Sequence, residues 1–423
     1  MFKRVNSSLR SWLTYLTNQH NKTIDMGLER ISIVARQLDL LNPAPKVITV
    51  AGTNGKGTTC HILESILIEA GLKVGVYSSP HLLDYTERVR IKGNTLSEKE
   101  FCRVFSDIES KRGTTTLTYF EYSTLAALKL FKEANLDVVI LEVGLGGRLD
   151  ATNIVDTTVA AITNVALDHL DWLGSDREQI GYEKAGIFRS GRYAVVGEPE
   201  IPNSINKVAQ VVGAKLFRSG IDWQFSQHHN QWCWKSIWRD FKKLPLPHFS
   251  LENAATALAI IDCLIKDDNT ISQAISLQAI HHGLIRAKLP GRFQIICQKP
   301  HVILDVAHNP HAAAYLAEKL SYLPRKKNTK VYAIIAMLAD KDIKSTLSYL
   351  APQVDRWYFA SLNAIRGADV AQLAQYVDSS YQFNTVKDAW FQAIDTANEE
   401  DIVAVCGSFY TVSEVIQLQK RKF

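Results

Sequence analysis

The 423-residue sequence lacks the marks of several protein classes. No apolar run approaches the ~20 residues that a membrane-spanning helix needs, and no apolar segment follows the basic N-terminal residues, as a secretory signal would require. The six cysteines include no C-x-x-C pair, so neither a zinc knuckle nor a redox dithiol is indicated. The net charge of +5 is small beside the dense basic surface typical of nucleic-acid binding. We therefore expect a cytoplasmic protein without a nucleic-acid or membrane partner.

What the sequence does contain is an alternation of short apolar runs and amphipathic stretches. Runs that are apolar at every position predict strands buried on both faces, and the stretches between them have helical spacing. This pattern predicts an α/β fold with a mostly parallel central sheet. The predicted strands are residues 46–51, 73–79, 137–144 and 158–165, and the predicted helices are 61–71, 120–134 and 176–188.

The chain is long for one core, so we expect two domains. The dipeptide Pro290-Gly291 is a strong break, and a fresh alternation of strands and helices begins after it. We expect a first domain at 1–288, a linker at 289–296 and a smaller, Rossmann-like α/β domain at 297–423. Strands of the second domain are predicted at 302–307, 331–337, 356–361 and 402–408.

Half of the eight tryptophans lie in one short segment, residues 222–241. Trp232, Trp234 and Trp238 have the same parity, so on one strand they would share a face. A hairpin packed on the sheet is one interpretation, since aromatic residues commonly serve as core. A platform for stacking nucleic-acid bases is the other, although the surrounding basic residues are few.

The stretch VAGTNGKGTTC at residues 50–60 combines a strand, a glycine-rich turn and the start of a helix. That context favours phosphate binding, because backbone N–H groups and the helix N-terminus both attract an anion. The common pattern is G-x-x-x-x-G-K-[ST], but here Val50 takes the place of the first glycine and Gly57 follows Lys56. Lys56 would then supply a charge for the terminal phosphates and Thr58 a hydroxyl near a metal. The alternative is a glycine-rich turn with a surface lysine.

Two further segments place polar residues at the ends of predicted strands. Glu142 ends an apolar strand, the position from which an acidic residue holds Mg²⁺ in phosphate-loop enzymes. Asp168, His169 and Asp171 follow another strand, on the edge where open α/β sheets bind ligands. A loop histidine alone is more often solvated than a ligand. The run GLGG at 144–147 lacks the third glycine of a dinucleotide fingerprint.

Seven motifs, in order along nearly the whole chain, carry a family resemblance. They are GTNGKGT, YSSPHLLDYTERVRI, EVGLGGRLDATN, LDHLDWLG, EKAGIF, LPGRFQ and LDVAHNPHA. Together they resemble the dihydrofolate synthase/folylpolyglutamate synthase family of the Mur ligase superfamily. The resemblance implies a phosphate-loop domain of Mur ligase type, a Rossmann-like C-terminal domain and a monomer. It also implies ligation of L-glutamate to dihydropteroate and to reduced folates through an acyl phosphate, with ATP and Mg²⁺ as cofactors.

The same resemblance implies a role for individual residues. ATP would be bound between the two domains, whose closure would assemble the site. The residues that bind it would be Thr53, Asn54, Gly55, Lys56, Thr58, Asn253, Arg292 and Asp305. Mg²⁺ would be ligated by Ser79, Glu142 and His169. The catalytic residues would be Lys56, Lys184 as a carbamate formed with CO₂, and His308. The pteroate would lie against Thr23, Ile24, Asp25, Met26, Thr118, Tyr119, Phe120, Glu121, Leu149, Asp150 and Ala151. The incoming glutamate would meet His308 and Ser408.

Other interpretations remain open at this point. The chain could be a different Mur-type ligase, for example one that adds an amino acid to a cell-wall nucleotide, or a folylpolyglutamate synthase alone. It could also be a nucleotide-binding regulatory module without ligase activity. For the pterin wall, the alternative is that Phe120 and Glu121 only begin a helix, where an acidic residue favours the N-terminal dipole.

Overall fold

The computed structural model describes residues 8–22 and 24–420. The chain divides between Lys288 and Leu289 into two compact units, here called the N-terminal and C-terminal units. Each is an α/β unit with its own sheet, which confirms the predicted fold class. No helix in the described part of the chain is both long and apolar enough to cross a membrane.

An eight-stranded sheet with the order β4-β3-β2-β5-β1-β6-β7-β8 forms the centre of the N-terminal unit. From β2 to β8 all neighbours pair in parallel, and β3 and β4 join one edge in antiparallel pairs. Residues of β1, β5 and β6 are almost wholly buried because helices cover both faces. The strands are β1 Lys46–Ala51, β2 Val74–Tyr77, β3 Val89–Ile91, β4 Asn94–Thr95, β5 Val138–Glu142, β6 Val159–Ile162, β7 Tyr193–Val196 and β8 Lys215–Arg218.

The helices of this unit bury apolar stripes against the two faces of the sheet. Where α3 crosses α11, a Cβ atom added to Gly283 would lie 2.6 Å from the Cα atom of Ile66, so only glycine permits this approach. The α-helices are α1 Leu9–Thr17, α2 Glu29–Gln37, α3 Lys56–Glu69, α4 Glu98–Lys111, α5 Tyr119–Glu133, α6 Leu170–Leu173, α7 Arg177–Ala185, α8 Asn203–Val212, α9 Leu251–Asp267, α10 Asn269–Ala274 and α11 Leu277–Arg286. Short 3₁₀ helices lie at Tyr85–Arg88 and Ala151–Ile154.

The tryptophan-rich segment forms a separate antiparallel sheet of three strands, β9 Trp223–His228, β10 Gln231–Ser236 and β11 Asp240–Pro245. The predicted single hairpin was therefore wrong in detail. Trp232 and Trp234 do share a buried face of β10, but Trp238 lies in the turn after it and stacks on Phe217 with ring centroids 4.6 Å apart. The core interpretation is confirmed, because buried rings cannot stack on nucleic-acid bases.

The C-terminal unit contains a six-stranded sheet with the order β12-β13-β17-β14-β15-β16. Its strands pair in parallel except for β12, which is antiparallel to β13. Part of the expected linker, residues 294–296, lies in β12. The elements are β12 Gln294–Gln298, β13 His301–Leu304, α12 Pro310–Ser321, β14 Val331–Ile335, α13 Ile343–Leu350, β15 Arg356–Ala360, α14 Val370–Ala374, β16 Tyr381–Phe383, α15 Val386–Thr396, β17 Ile402–Cys406 and α16 Phe409–Lys420, with a 3₁₀ helix at Ala351–Gln353.

Candidate active site

The glycine turn between β1 and α3 is the centre of the candidate site. Gly55 ends the turn in the left-handed region, with φ = 81°, and α3 begins at the next residue, Lys56. A Cβ atom on Gly55 would lie 2.2 Å from Oδ1 of Asn253, near the start of α9, so glycine is needed both for the backbone and for this contact. Asn253 thus lies directly against the loop, while its role in binding adenine stays a prediction.

The loop is fixed to the carboxyl end of the neighbouring strand β6. The backbone N–H of Thr53 donates to the carbonyl of Asn164 (3.0 Å), and the N–H of Asn54 donates to its side-chain Oδ1 (2.9 Å). Nζ of Lys56 donates to the carbonyls of Gly52 (2.9 Å) and Thr53 (3.2 Å), which holds the ammonium group over the turn. A 14-residue helix therefore begins behind a rigid turn that carries a cation, an arrangement suited to binding phosphate.

Glu142, the last residue of β5, lies beside this turn and is 5% exposed. Its Oε2 accepts a hydrogen bond from the backbone N–H of Ser79 (3.1 Å). Its Oε1 would lie 3.4 Å from a Cβ atom on Gly57, in the first turn of α3. The structure thus brings together Ser79, Glu142 and the phosphate-binding turn, which are far apart in sequence.

His169, the third expected metal ligand, precedes α6 with a left-handed backbone, φ = 53°. Its Nε2 lies 3.9 Å from Oδ2 of Asp168. In residues 8–22 and 24–420 no three His, Cys, Asp or Glu side chains are gathered as a metal cluster. The oxygen donors of Ser79 and Glu142 suit Mg²⁺, which usually takes only one or two carboxylates and completes its shell with water and phosphate oxygens. The imidazole of His169 is a nitrogen donor, and its role as a ligand stays a prediction.

Lys184, near the end of α7, is the most strongly perturbed basic group at this site. It is 3% exposed, and burial lowers the pKa of its ammonium group to about 7. The positive charge of Lys56 lowers this pKa further, whereas the carboxylate of Asp168 opposes the shift. Lys184 therefore lies close enough to both residues to respond to their charges. A large fraction of its amine is neutral near pH 7, the form that reacts with CO₂.

The expected pteroate wall includes the start of α5. Oγ1 of Thr118 accepts from the N–H of Glu121 (3.2 Å), and Oε2 of Glu121 accepts from the N–H of Thr118 (2.7 Å). This capping box confirms that Glu121 helps to begin the helix, as the alternative interpretation stated. Its other oxygen, Oε1, is buried without a hydrogen-bond partner, 3.2 Å from Nη2 of Arg30. One oxygen of this carboxylate therefore begins the helix and the other pairs with Arg30, while a contact with the pterin stays a prediction.

Arg30 joins this wall to the segment that precedes α2. Its Nη1 lies 2.8 Å from Oδ2 of Asp25, and its Nη2 donates to the Asp25 carbonyl (2.7 Å). Ile24 and Met26 flank Asp25 and are half-buried. Thr23 lies outside the described residues. Segments 24–26 and 118–121 therefore adjoin each other, through an arginine that sequence reasoning had not selected.

The loop after β5 packs against both segments through two glycines. A Cβ atom on Gly144 would lie 2.5 Å from Cζ of Phe120, and one on Gly146 would lie 3.7 Å from Cε of Met26. Tyr119 is half-buried beside Phe120. The ring of Phe120, in the expected pteroate wall, therefore covers the loop that follows Glu142.

Further along this loop, Asp150 is buried and uses its carboxylate on the backbone. It accepts from the N–H groups of Leu145 (2.9 Å) and Thr152 (3.0 Å), which shapes residues 145–152. Burial raises the pKa of Asp150. Leu149 is half-buried, and Ala151 begins the 3₁₀ helix in the core. Direct contacts of these three residues with a substrate stay predictions.

Four predicted residues lie near one another in the C-terminal unit. The carboxylate of Asp305, after β13, accepts hydrogen bonds from the N–H groups of Phe293 and Ala307 (both 2.8 Å). Burial raises the pKa of Asp305, and the positive charge of Arg292 opposes this rise. The guanidinium of Arg292 lies 5.0 Å from the ring centroid of Phe409, and the ring of His308 lies 6.4 Å from it. Ser408 precedes Phe409 and accepts from the N–H of Thr411 (3.0 Å) at the start of α16. Their roles in binding nucleotide and glutamate stay predictions.

Two family models match the chain. The Mur ligase middle domain matches residues 50–295, and the Mur ligase glutamate ligase domain matches residues 291–409. These matches agree with a phosphate-binding turn at the carboxyl edge of a parallel sheet and with a second α/β unit. The chain therefore has the fold and the two domains of a Mur ligase.

Individual relatives narrow this class. Dihydrofolate synthase/folylpolyglutamate synthase of Escherichia coli (strain K12) is 56% identical over 412 residues, which cover 97% of this chain and 96% of the relative. The enzyme of the same name from Haemophilus influenzae is 45% identical and covers 97% of each chain. A structure of E. coli FolC in complex with DHPP and ADP has a TM-score of 0.96 at 54% identity and covers 100% of both chains. A bifunctional folylpolyglutamate synthase/dihydrofolate synthase with Mn, AMPPNP and L-glutamate bound has a TM-score of 0.93 at 55% identity, covering 98% of this chain and 99% of that one. The chain belongs to the dihydrofolate synthase/folylpolyglutamate synthase family.

Proposed function

We propose that this protein uses ATP and Mg²⁺ to ligate L-glutamate to dihydropteroate, giving dihydrofolate, and to reduced folates, giving folylpolyglutamates. The observation that carries the proposal is the contact of the phosphate-binding turn with Glu142, together with a buried Lys184 that responds to the charge of Lys56 in the same turn. Relatives that carry both activities in their names, and whose structures hold ADP, DHPP or L-glutamate, support this choice of substrates.

The reaction has two steps. A carboxylate oxygen of the acceptor attacks the γ-phosphorus of ATP, the bond to the β-phosphate oxygen breaks, and ADP leaves behind an acyl phosphate. The amine nitrogen of L-glutamate then attacks the acyl carbon, phosphate departs, and the nitrogen loses a proton to give the amide. Both steps depend on positioning and on neutralising phosphate charge. Lys56 and the N-terminus of α3 supply that charge in this chain.

Ser79, Glu142 and His169 would hold the Mg²⁺, which would supply positive charge to neutralise the phosphates. Lys184 would act as a carbamate. Its neutral amine attacks CO₂, an N–C bond forms and a proton is lost, so that a buried cation becomes a carboxylate beside the metal ligands. The low pKa of Lys184 supports this step because an ordinary lysine is almost fully protonated at neutral pH.

The acceptor would lie against residues 24–26, 118–121 and 149–151. Phe120 offers a ring face, and Oε1 of Glu121, which is ion-paired with Arg30 but accepts no hydrogen bond, is our candidate acceptor for the N–H groups of the pterin. A reduced folate is longer than dihydropteroate by one glutamate, so the pterin must take two positions or two poses. In the C-terminal unit, Arg292 and Asp305 are our candidates for the nucleotide, and His308 and Ser408 for L-glutamate.

We also propose that the enzyme is a cytoplasmic monomer. Its six cysteines are free, and reduced thiols are typical of cytosolic proteins. The mass of the purified protein in solution, measured by light scattering with and without ATP, tests the monomer.

The function is tested with purified protein, ATP, L-glutamate and either dihydropteroate or tetrahydrofolate. Both acceptors should yield a glutamate adduct together with equal amounts of ADP and phosphate. Lys56→Ala should lose about 10²–10³ in kcat, the usual effect of removing one group that stabilises transition-state charge. Lys111→Ala, at the far end of α4, is the matched control and should retain activity.

Three results would contradict the proposal in different ways. Product with tetrahydrofolate alone would leave a folylpolyglutamate synthase. Ligation only with UDP-linked acceptors would indicate a cell-wall Mur ligase. ATP binding without glutamate-dependent hydrolysis would indicate a regulatory module. A Lys56→Ala enzyme within threefold of wild type would refute the role of the phosphate-binding turn.

A further inference from the structure

Arg88, at the end of the 3₁₀ helix Tyr85–Arg88, is a buried cation without a counter-charge. It is 8% exposed, and its Nε donates to Nδ1 of His81 (2.9 Å). Throughout residues 8–22 and 24–420 we find no hydrogen bond from its Nη1 or Nη2 and no carboxylate paired with it. Buried arginines are normally paired, because an uncompensated charge away from water is costly.

The neighbouring arginine on the same segment shows what a complete pairing looks like here. Arg90 lies two residues further, on β3. Its Nε and Nη2 both lie 2.9 Å from Oε2 of the buried Glu64, and its Nη1 donates to Oγ of Ser78 (3.1 Å). Among the described residues, Arg90 therefore has a carboxylate partner and Arg88 has none. A ligand can supply a carboxylate to Arg88.

The residues around Arg88 indicate which ligand would supply the carboxylate. Its guanidinium carbon lies 5.6 Å from the ring centroid of Tyr85 and 5.4 Å from that of Tyr119, a residue of the proposed pteroate wall. Its carbonyl accepts from the N–H of Ser78 (2.9 Å), and the N–H of the next residue, Ser79, bonds Glu142. Arg88 thus connects the wall for the pterin with the residues proposed for phosphoryl transfer. The acceptor's carboxylate must lie between those two places.

We propose that Arg88 binds a carboxylate of the acceptor through the N–H groups of Nη1 and Nη2; this inference rests on the proposed function. The two tyrosine rings fix the plane of the guanidinium, and the Nε bond to His81 fixes its rotation. A planar fork held in this way matches both oxygens of a carboxylate, which a lysine at the same position could not do.

The test compares the binding of dihydropteroate with that of its carboxamide, a neutral analogue of the same shape. Calorimetry on wild type, Arg88→Met, Arg88→Lys and Arg90→Met gives the preference for the charged ligand without requiring catalysis. Wild type should prefer the carboxylate by roughly tenfold or more, the effect of a hydrogen-bonded charge. Arg88→Met should lose this preference and Arg88→Lys should keep part of it. Arg90→Met is the matched control: it should melt at a lower temperature and keep the full preference.

Kinetics then separate the possible sources of the carboxylate. With Arg88→Met we expect the KM of dihydropteroate and of tetrahydrofolate to rise roughly tenfold, with the KM of ATP and of L-glutamate unchanged. A rise for tetrahydrofolate alone would contradict the proposal, because the contact is assigned to the carboxylate that both acceptors carry. An unchanged carboxylate preference, or a rise only in the KM of L-glutamate, would overturn it. Failure of the wild-type enzyme to bind or ligate either acceptor would instead refute the proposed function.

Discussion

Replacing Lys184 with methionine should stabilise the protein at low pH, and the gain should shrink as the pH rises. The lysine is 3% exposed, and its pKa falls from 10.5 to about 7 on folding. At ~1.36 kcal/mol per pH unit, this difference of about 3.5 units corresponds to about 5 kcal/mol as an order of magnitude. Methionine has a similar length without the charge, so the variant Lys184→Met removes this penalty.

The sign of the effect follows from proton binding. Below about pH 7 the amine is protonated in the folded and the unfolded state, and burial of its charge costs the full penalty. Between about pH 7 and 10.5 the unfolded chain binds the proton while the folded protein does not, so the stability of the wild type rises with pH. Above that range both states are neutral and the penalty has disappeared.

The assay is the melting temperature from pH 6 to 9.5 in buffer free of CO₂ and metal. Lys184→Met should melt above the wild type at pH 6, and the two curves should converge with rising pH. Lys207→Met, which changes an exposed lysine of α8, should follow the wild type throughout. If Lys184→Met also runs parallel to the wild type at every pH, the lysine is not buried as a neutral amine and our reasoning is refuted.

The same pKa predicts when the carbamate forms. At pH 8 about 90% of an amine with a pKa of 7 is neutral, against less than ~1% of an ordinary lysine. With bicarbonate at pH 8, intact-mass measurement should therefore show one added CO₂ on the wild type and none on Lys184→Met. Lys184→Ala should lose ligation and regain part of it with short carboxylic acids, since the vacated space can hold an added carboxylate.

Two further substitutions test the nucleotide loop and the acceptor wall. Gly55→Ala should raise the KM of ATP roughly tenfold, because a left-handed alanine costs ~1–2 kcal/mol and its Cβ would meet Asn253 at 2.2 Å. Gly71→Ala, with φ = 80° and no atom within 4 Å of the new Cβ, is the control for strain alone; equal ATP kinetics in both variants would contradict the contact with Asn253. Phe120→Ala should lower kcat/KM for dihydropteroate more than for tetrahydrofolate, measured with both acceptors. Equal losses would mean that the two acceptors share one pterin position.

The central strands β1, β2, β5 and β6 could be predicted from sequence because they are buried on both faces. KVITVA became β1 without a change in its bounds, Lys46–Ala51. The strand predicted at 158–165 instead ends at Ile162. The next residues, Thr163 and Asn164, bond the phosphate-binding turn rather than extending β6, since Oγ1 of Thr163 donates to the carbonyl of Asn54 (2.6 Å). The local pattern is apolar, but contacts made about 110 residues away decide where the strand stops.

The parity argument for the tryptophans failed for a similar reason. It requires one continuous strand, but β10 ends at Ser236. Oγ of Ser236 accepts from the N–H groups of Trp238 (2.9 Å) and Arg239 (3.0 Å), which turns the chain, and donates to the buried Asp262 (2.6 Å). Asp262 also pairs with Arg239 at 2.7 Å. A carboxylate on a later helix therefore fixes a turn that the alternation of residues does not reveal.

Many candidate site residues came from the family resemblance rather than from a local pattern. The resemblance named Asp25 and Glu121, which lie outside the seven motifs, but it did not name Arg30, which joins them and contacts a residue about 90 positions away. Arg88 does lie within a motif, yet nothing in the spacing ERVR distinguishes it from Arg90. Only the structure shows that Arg90 has a carboxylate partner while Arg88 has none within the part of the chain that is described.

The departure of the loop from the common phosphate-binding pattern follows from its neighbours. Each glycine of the turn faces a different side chain: a Cβ atom on Gly52 would lie 1.8 Å from Oγ1 of Thr163, and one on Gly55 would lie 2.2 Å from Oδ1 of Asn253. At Gly57 a Cβ atom would be in van der Waals contact with Glu142, 3.4 Å from Oε1. A larger side chain would therefore fill the space between α3 and the carboxylate. The strand that ends in Glu142 pairs directly with β1, and this places the acid against the first turn of α3. A side chain at position 57 would extend towards this carboxylate, whereas glycine leaves the space in front of Glu142 open.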